Sequence, residues 1–211
     1  MDSPVVLRRE IVRVGRLMYE RGLIAAAEGN LSVRLGGRLF LVTPGGVSKG
    51  ALRPQDILEV GADGRCVQGR PTSEWPLHRE VYRLRTDSAA ICHAHPPWAT
   101  AFAVAGRDLD GTVLTETTDT MPVVPLAPRT RPGSEDLAAS VATLIRHHDA
   151  VLLGNHGALA VGPDLATAFA RLETVERLAQ VTLLAEVALG RSSLDPAALT
   201  SLLARLPDHR N

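Results

Sequence analysis

The stretch AVLLGNHGALAVG, residues 150–162, constrains the fold more than any other part of the chain. It holds two apolar runs, near 150–154 and 157–161, with Asn155, His156 and Gly157 between them. Each run is short and glycine-bounded, so together they read as two buried strands joined by a turn. Such strands need the rest of the chain to cover them. A histidine in a turn between buried runs needs a partner, because a polar group withdrawn from water is costly when nothing binds it.

The covering elements are legible in periodicity. PDLATAFARLETVERLAQVTLLAEVALG places Leu165, Phe169, Leu172 and Val175 on one stripe, with Gly190 past its end, and predicts one long amphipathic helix. At the other end Ser3 can cap, and Pro4 can start, a helix whose Leu7, Ile11, Val14 and Met18 share a face and which stops at Gly22. LSVRLGGRLFLVT, around Gly36 and Gly37, predicts a β-hairpin, and DILEV, ADG and RCVQG predict a second. SEWPLHREVYRLR, residues 73–85, predicts a helix capped by Ser73. Further strands are expected near 89–95 and 122–125, a helix end near His147 and His148, and a short helix at 195–205. The 109–133 segment, rich in Thr and Pro, reads as a long loop. No repeat, low-complexity tract or linker interrupts the pattern, so residues 1–211 are expected to form one α/β domain, long enough for a sizeable core.

Composition removes several function classes. Lys+Arg and Asp+Glu are equal at 23 each, which gives no support for nucleic acid or an anionic membrane as the main partner. No apolar run reaches about 18 residues, so no membrane span is expected. The N-terminus carries charges every few residues and lacks the apolar core of a signal peptide. Cys66 and Cys92 do not make a disulfide framework, and the cytoplasm is the expected compartment.

The chemistry gathers around histidine. In ICHAHPPW, residues 91–98, strand alternation turns His93 and His95 to one face and Cys92 and Ala94 to the other. Two imidazoles at that spacing can share one ion, although a His-x-His at a strand end can equally meet water or backbone. A third and a fourth donor decide between these readings. His156 is one candidate. Glu74, in the first turn of the predicted helix, is another, with His78 four residues later on the same face. Three imidazoles and one carboxylate suit zinc or a neighbouring transition metal. His78 is a rival donor, or else a residue that supports the ligands from behind. His147 and His148 read as solvated, and His209 lies in the tail.

AAAEGN, TPGGVSKG and PTSE place small and hydroxyl residues at junctions between elements. Backbone N–H groups there could cradle a phosphate or carboxylate, or simply form turns. Lys49 is the only lysine in the chain. A Schiff-base mechanism would have to use it, and an open glycine-rich loop is a poor place for a desolvated amine.

EGNLSVR, TPGGVSKGALRPQDI, PTSEWPLH, HAHPPWATAFA and LLGNHGALAVG occur in the order found in the class II aldolase/adducin family, which the chain resembles from roughly Leu7 to Gly190. The resemblance implies an α/β fold with a central, largely antiparallel sheet flanked by helices, and a C4 homotetramer with active sites between subunits. It implies a lyase that cleaves or forms a C–C bond next to a hydroxycarbonyl, with a sugar-phosphate dehydratase or decarboxylase as the alternative. A non-catalytic adducin-like scaffold would have no reason to keep all three histidines with Glu74. By the same carry-over His93, His95 and His156 bind Zn2+, or Mn2+ or Co2+. Glu74 is a further ligand and the acid/base, stabilisation of the enediolate falls to the metal, and Gly29, Asn30, Gly45, Gly46, Thr72 and Ser73 hold the substrate's phosphate or oxygens. The chain departs from that pattern at Ala27 and Gly45, which offer no hydroxyl, so weaker phosphate recognition is expected. No tyrosine occurs in RDLDGTVLTETTDTMPVV, where a relative supplies one to a neighbouring subunit; Tyr19 and Tyr82 are the only tyrosines, and Glu116 is the notable acid of that segment.

Overall fold

A computed structural model describes residues 3–188. Its first helix, α1 (Pro4–Glu20), begins as expected: the Ser3 hydroxyl accepts from Val6 N–H, and Pro4 occupies the first turn, where its missing N–H costs nothing. The predicted hairpin follows as β1 (Asn30–Gly36) and β2 (Leu39–Val42), and β3 (Leu58–Gly61) pairs with β2. Next come α2 (Trp75–Leu84), β4 (Ala90–Ala94) and α3 (Pro97–Val104). Strand β5 (Leu109–Asp110), the four-residue helix α4 (Thr115–Thr118) and β6 (Val123–Val124) form a small annex in which β5 pairs with β6. The chain continues through β7 (Leu126–Ala127), α5 (Glu135–Ile145), β8 (Ala150–Leu153), β9 (Gly157–Gly162) and α6 (Leu165–Ala188).

Seven strands form the main sheet in the order β3-β2-β1-β4-β9-β8-β7, antiparallel throughout except for the parallel pair β7 and β8. Residue parity divides the core into two layers. Cys92 with Ala90 and Ala94 faces Ile11, Val14 and Met18 of α1, Phe102 of α3, and Leu165, Leu172 and Val175 of α6. Ile91, Leu159 and Val161 face Leu77 and Val81 of α2 and Leu137, Val141 and Ile145 of α5. Helices therefore cover both faces, which is why residues 150–162 are apolar without alternation. Each buried aliphatic side chain in these layers contributes about 1.5–3 kcal/mol of transfer free energy. No described helix is long and apolar enough to cross a membrane.

Four expectations need correction. The second hairpin does not form. Gly61 N–H bonds Arg65 C=O and the Asp63 carboxylate accepts from Arg65 N–H, which closes a turn, but residues 65–69 are not a strand. Glu59 N–H donates to the side-chain oxygen of Gln68, and Val67 stands fully exposed with no face to pack on. The second helix starts at Trp75 with Glu74 as its N-cap residue, so Ser73 does not cap it; instead the Thr72 hydroxyl accepts from Glu74 N–H at 3.3 Å. The strand near 122–125 is split between β6 and β7, and the 109–133 loop carries the annex. The fourth correction concerns Lys49 and is taken up with the site. Gly190, the helix expected at 195–205 and His209 lie outside the described residues.

Candidate functional site

Strand β4 is the middle strand of the main sheet, and the site lies at its C-terminal end. Ladder pairing sets Asn30 of β1 opposite His93, with Leu159 of β9 opposite it on the other side. His95 lies just past the strand. The β8–β9 turn brings in His156: Asn155 takes the left-handed conformation at φ +57°, which asparagine tolerates. Gly157 allows the turn to close. A Cβ there would sit 2.2 Å from Ala94 C=O and 2.9 Å from the His95 ring.

The three predicted histidines converge. His93 and His95 bring their Nε2 atoms to 3.3 Å, and one ligand atom from each of His93, His95 and His156 lies within 4.8 Å of the others. Glu74 spans the group, with Oε2 at 2.9 Å from His93 Nε2 and Oε1 at 3.3 Å from His156 Nε2. His93 Nδ1–H donates to Ala158 C=O at 2.9 Å, which orients the ring and turns Nε2 toward Glu74 and the cluster. His95 Nδ1 lies 3.5 Å from Glu28 Oε1. Among the described residues Glu74 Oε1 and His156 Nδ1 are buried without a hydrogen-bond partner.

Electrostatics agree with that donor set. Burial lowers His156 to about 4 and, with the charge of His93, also holds His95 below its ordinary value. Burial pulls His93 down too, but the adjoining Glu74 carboxylate outweighs it and the ring is raised. Burial would raise Glu74, yet His93, His156 and the Asn30 amide hold its carboxyl well below the usual range. The ionised Glu74 carboxylate and the neutral rings of His95 and His156 are ready donors, and His93 becomes one when a cation displaces the proton that Glu74 holds on it, so these residues fit a metal.

Behind the cluster runs a chain of buried hydrogen bonds that the sequence did not announce. Asn30 Nδ2–H donates to Glu74 Oε2 at 2.8 Å, and Asn30 Oδ1 lies 2.5 Å from His78 Nε2. His78 Nδ1 is 2.6 Å from Ser32 Oγ, which is 2.8 Å from Tyr82 OH. An amide oxygen can only accept, so His78 Nε2 carries the proton. His78 Nδ1 then accepts from Ser32, and Ser32 from Tyr82. Each link of the chain then has one donor, running toward Glu74, and the second Asn30 N–H is left over. Burial pushes His78 down to about 3 and raises the Tyr82 phenol, so the ring stays neutral and the phenol protonated. His78 thus stands behind Asn30 and outside the histidine cluster. Its i, i+4 spacing with Tyr82, and the i, i+2 spacing of Asn30 and Ser32, were the available signals.

All six residues expected to bind substrate (Gly29, Asn30, Gly45, Gly46, Thr72 and Ser73) line one cavity of about 210 Å³, together with Glu74, His95 and His156. The Gly45 N–H is taken by Arg70 C=O. Among the described residues those of Gly46 and Ser73 have no such partner and remain available to an anion. Lys49 corrects its sequence reading: it is buried, and its Nζ donates to Ala27 C=O at 2.7 Å and to Val47 C=O at 2.9 Å. It ties together the two loops that form the cavity's mouth, and desolvation lowers its amine to about 8. Glu116 is exposed on α4 and lines neither this cavity nor its neighbour.

Comparison with known proteins matches residues 9–183 to the family described as Class II Aldolase and Adducin N-terminal domain. The chain is 33% identical over 178 residues to the L-fuculose phosphate aldolase of Methanocaldococcus jannaschii, covering 84% of this chain and 96% of that one. It is 34% identical over 180 residues to the 3-oxo-tetronate 4-phosphate decarboxylase of Escherichia coli K12, covering 83% and 85%. Among solved structures, the L-fuculose-1-phosphate aldolase from Thermus thermophilus superposes with a TM-score of 0.80 at 38% identity, covering 90% of this chain and 98% of that chain.

Proposed function

The chain belongs to the class II aldolase and adducin family, and on that premise we propose that it is a metal-dependent aldehyde-lyase that makes or breaks a C–C bond next to a hydroxycarbonyl group. The convergence of His93, His95, His156 and Glu74 beside an anion-ready cavity carries this reading. Those four residues would hold the cation, and their nitrogen-rich set favours Zn2+, with Mn2+ or Co2+ as substitutes. When bound, the cation supplies Lewis acidity against the negative charge that gathers on the substrate's carbonyl oxygen.

The remaining work falls to the chain's own side chains. The N–H groups of Gly46 and Ser73, the hydroxyls of Thr72 and Ser73, and the Asn30 amide orient an anionic end such as a phosphate, with Gly29 and Gly45 in the wall around it. In the direction of bond formation Glu74 takes the proton from the carbon beside the carbonyl, and in cleavage it returns it, a transfer typically contributing about 10²–10⁴-fold. Asn30, held by His78, keeps an N–H on Glu74 so that the carboxylate stays oriented. The proposal extends to residues 1–211 as one domain, working in the cytoplasm as a homotetramer with sites between subunits. Decarboxylation or dehydration on the same residues is the second reading. Similarity to a 3-oxo-tetronate 4-phosphate decarboxylase favours it.

The test is a screen of hydroxyketone donors and aldehydes with purified, metal-loaded protein, read by product identity before and after chelation. Turnover that disappears with the metal and returns with Zn2+, Mn2+ or Co2+ is the expected outcome. Undiminished turnover in protein shown to be metal-free would defeat the reading. Full activity at a sedimentation mass near 22.5 kDa would remove the tetramer from it.

A further inference from the structure

A second cavity, of about 540 Å³, opens against His156 between the 129–132 segment and the β8–β9 turn. It shares His156 and Pro132 with the smaller cavity, so the two meet at the histidine cluster. Its charge is of one sign: Arg129 and Arg131 line it and no carboxylate does. Arg85, Arg107 and Arg171 each pair with a carboxylate, whereas among the described residues the guanidinium groups of Arg129 and Arg131 have none. Thr130 Oγ1, between them, is buried without a hydrogen-bond partner among the described residues. The backbone beneath is held firmly. Ser134 donates twice to Arg131 C=O, Gly154 N–H bonds Ala127 C=O, and a Cβ on Gly154 would come within 2.7 Å of Arg129 N. Two unpaired cations on a fixed backbone beside a reaction centre make an anion site, and paired guanidinium donors match a carboxylate.

We propose that Arg129 and Arg131 receive a carboxylate carried by the substrate at the end opposite its phosphate, which makes the preferred substrate a small phosphorylated acid. The proposal rests on the reading of the histidine cluster as the reaction centre and of the smaller cavity as the phosphate cradle. Calorimetry on metal-loaded protein tests it without requiring turnover. The probes are 4-phosphoerythronate and erythritol 4-phosphate, which share phosphate and chain length and differ in the carboxylate. The acid should bind at least about tenfold more tightly, the scale of one hydrogen bond to a charged group. Arg129→Met with Arg131→Met should abolish that difference while leaving erythritol 4-phosphate affinity within about twofold. Both positions are exposed, so the double variant is expected to fold. Equal affinities in the unmodified protein would overturn the proposal. So would a difference that survives the double substitution, since the metal alone would then be reading the carboxylate. Protein inactive in every C–C assay that still shows the arginine-dependent difference would leave this site standing while the lyase reading fell.

Discussion

The two cavities that meet at His156 are built in opposite ways. In the smaller one three polar side chains, Asn30, Thr72 and Lys49, already hold protein partners before any ligand arrives. Asn30 is held between Glu74 and His78, Thr72 accepts from Glu74 N–H, and Lys49 is bound to two carbonyls. In the larger one Arg129 and Arg131 pair with no carboxylate and Thr130 Oγ1 has no partner among the described residues. A preorganised polar wall does not have to reorganise as charge develops, and it suits the place where bonds change. Loose donors suit recognition, because their hydrogen bonds are completed by the ligand itself.

That contrast breaks most severely at Glu74. Glu74→Gln keeps the side chain's shape and removes the proposed proton carrier, so kcat should fall by about 10²–10⁴-fold with an unchanged circular dichroism spectrum. Near-normal turnover in this variant would place the proton carrier elsewhere. His78 comes next. His78→Leu strands Asn30 Oδ1 and the Ser32 hydroxyl in a dry interior, at a cost of about 1–3 kcal/mol in unfolding free energy, with a fall in kcat larger than any rise in KM. His78→Gln can still donate to Asn30 and should recover part of both. If Leu and Gln behave alike in denaturant titration and in kcat, the hydrogen-bond chain has no positioning role.

A smaller effect sharpens the contrast from the cradle side. Gly45 has no left-handed backbone, and a Cβ there would meet Pro71 C=O at 3.3 Å, close but tolerable with a slight shift. Ala27→Thr with Gly45→Ser should therefore raise the preference for dihydroxyacetone phosphate over dihydroxyacetone by about tenfold in kcat/KM, the value of one added hydrogen bond to a charged oxygen. An unchanged ratio would show that backbone N–H groups already saturate the phosphate. The smallest effect belongs to Lys49. Its folded value is lowered to about 8 from 10.5, so between those limits the unfolded chain holds more protons and stability rises with pH. The gain is complete above 10.5 and lost as pH falls through about 8. Denaturant titrations of the native chain and of Lys49→Met across that window should diverge in the native chain's favour; parallel curves would contradict it.

What the sequence revealed, and what it hid, follow one line. Strand parity separated His93 from Cys92, and the structure puts Cys92 in the α1–α6 layer and His93 against Glu74. Local periodicity is enough for that. It is not enough for Lys49, whose burial depends on two loops folding over it, nor for the Tyr82–Ser32–His78–Asn30 chain, which joins β1 to α2. The failed hairpin at 65–69 had alternation and a turn but no layer to bury Val67. The strands of the annex and β7 are two residues long, too short for any period to show. The arginines of APRTRPG look like any charged loop until the β8–β9 turn stands beside them.

Asn30 is the ladder partner of His93, and β1 meets β4 across a long gap in the chain. A slip of one residue in that pairing would set Leu31 opposite His93 and swing Asn30 to the other face of the sheet. No fragment of the chain, and no half-zipped sheet, can then bring the carboxylate, its amide and the three imidazoles together. During refolding, helices formed from local contacts precede such distant strand pairings. The proposed cation affinity is accordingly a late event, and its recovery would report that the central strands have found their correct register.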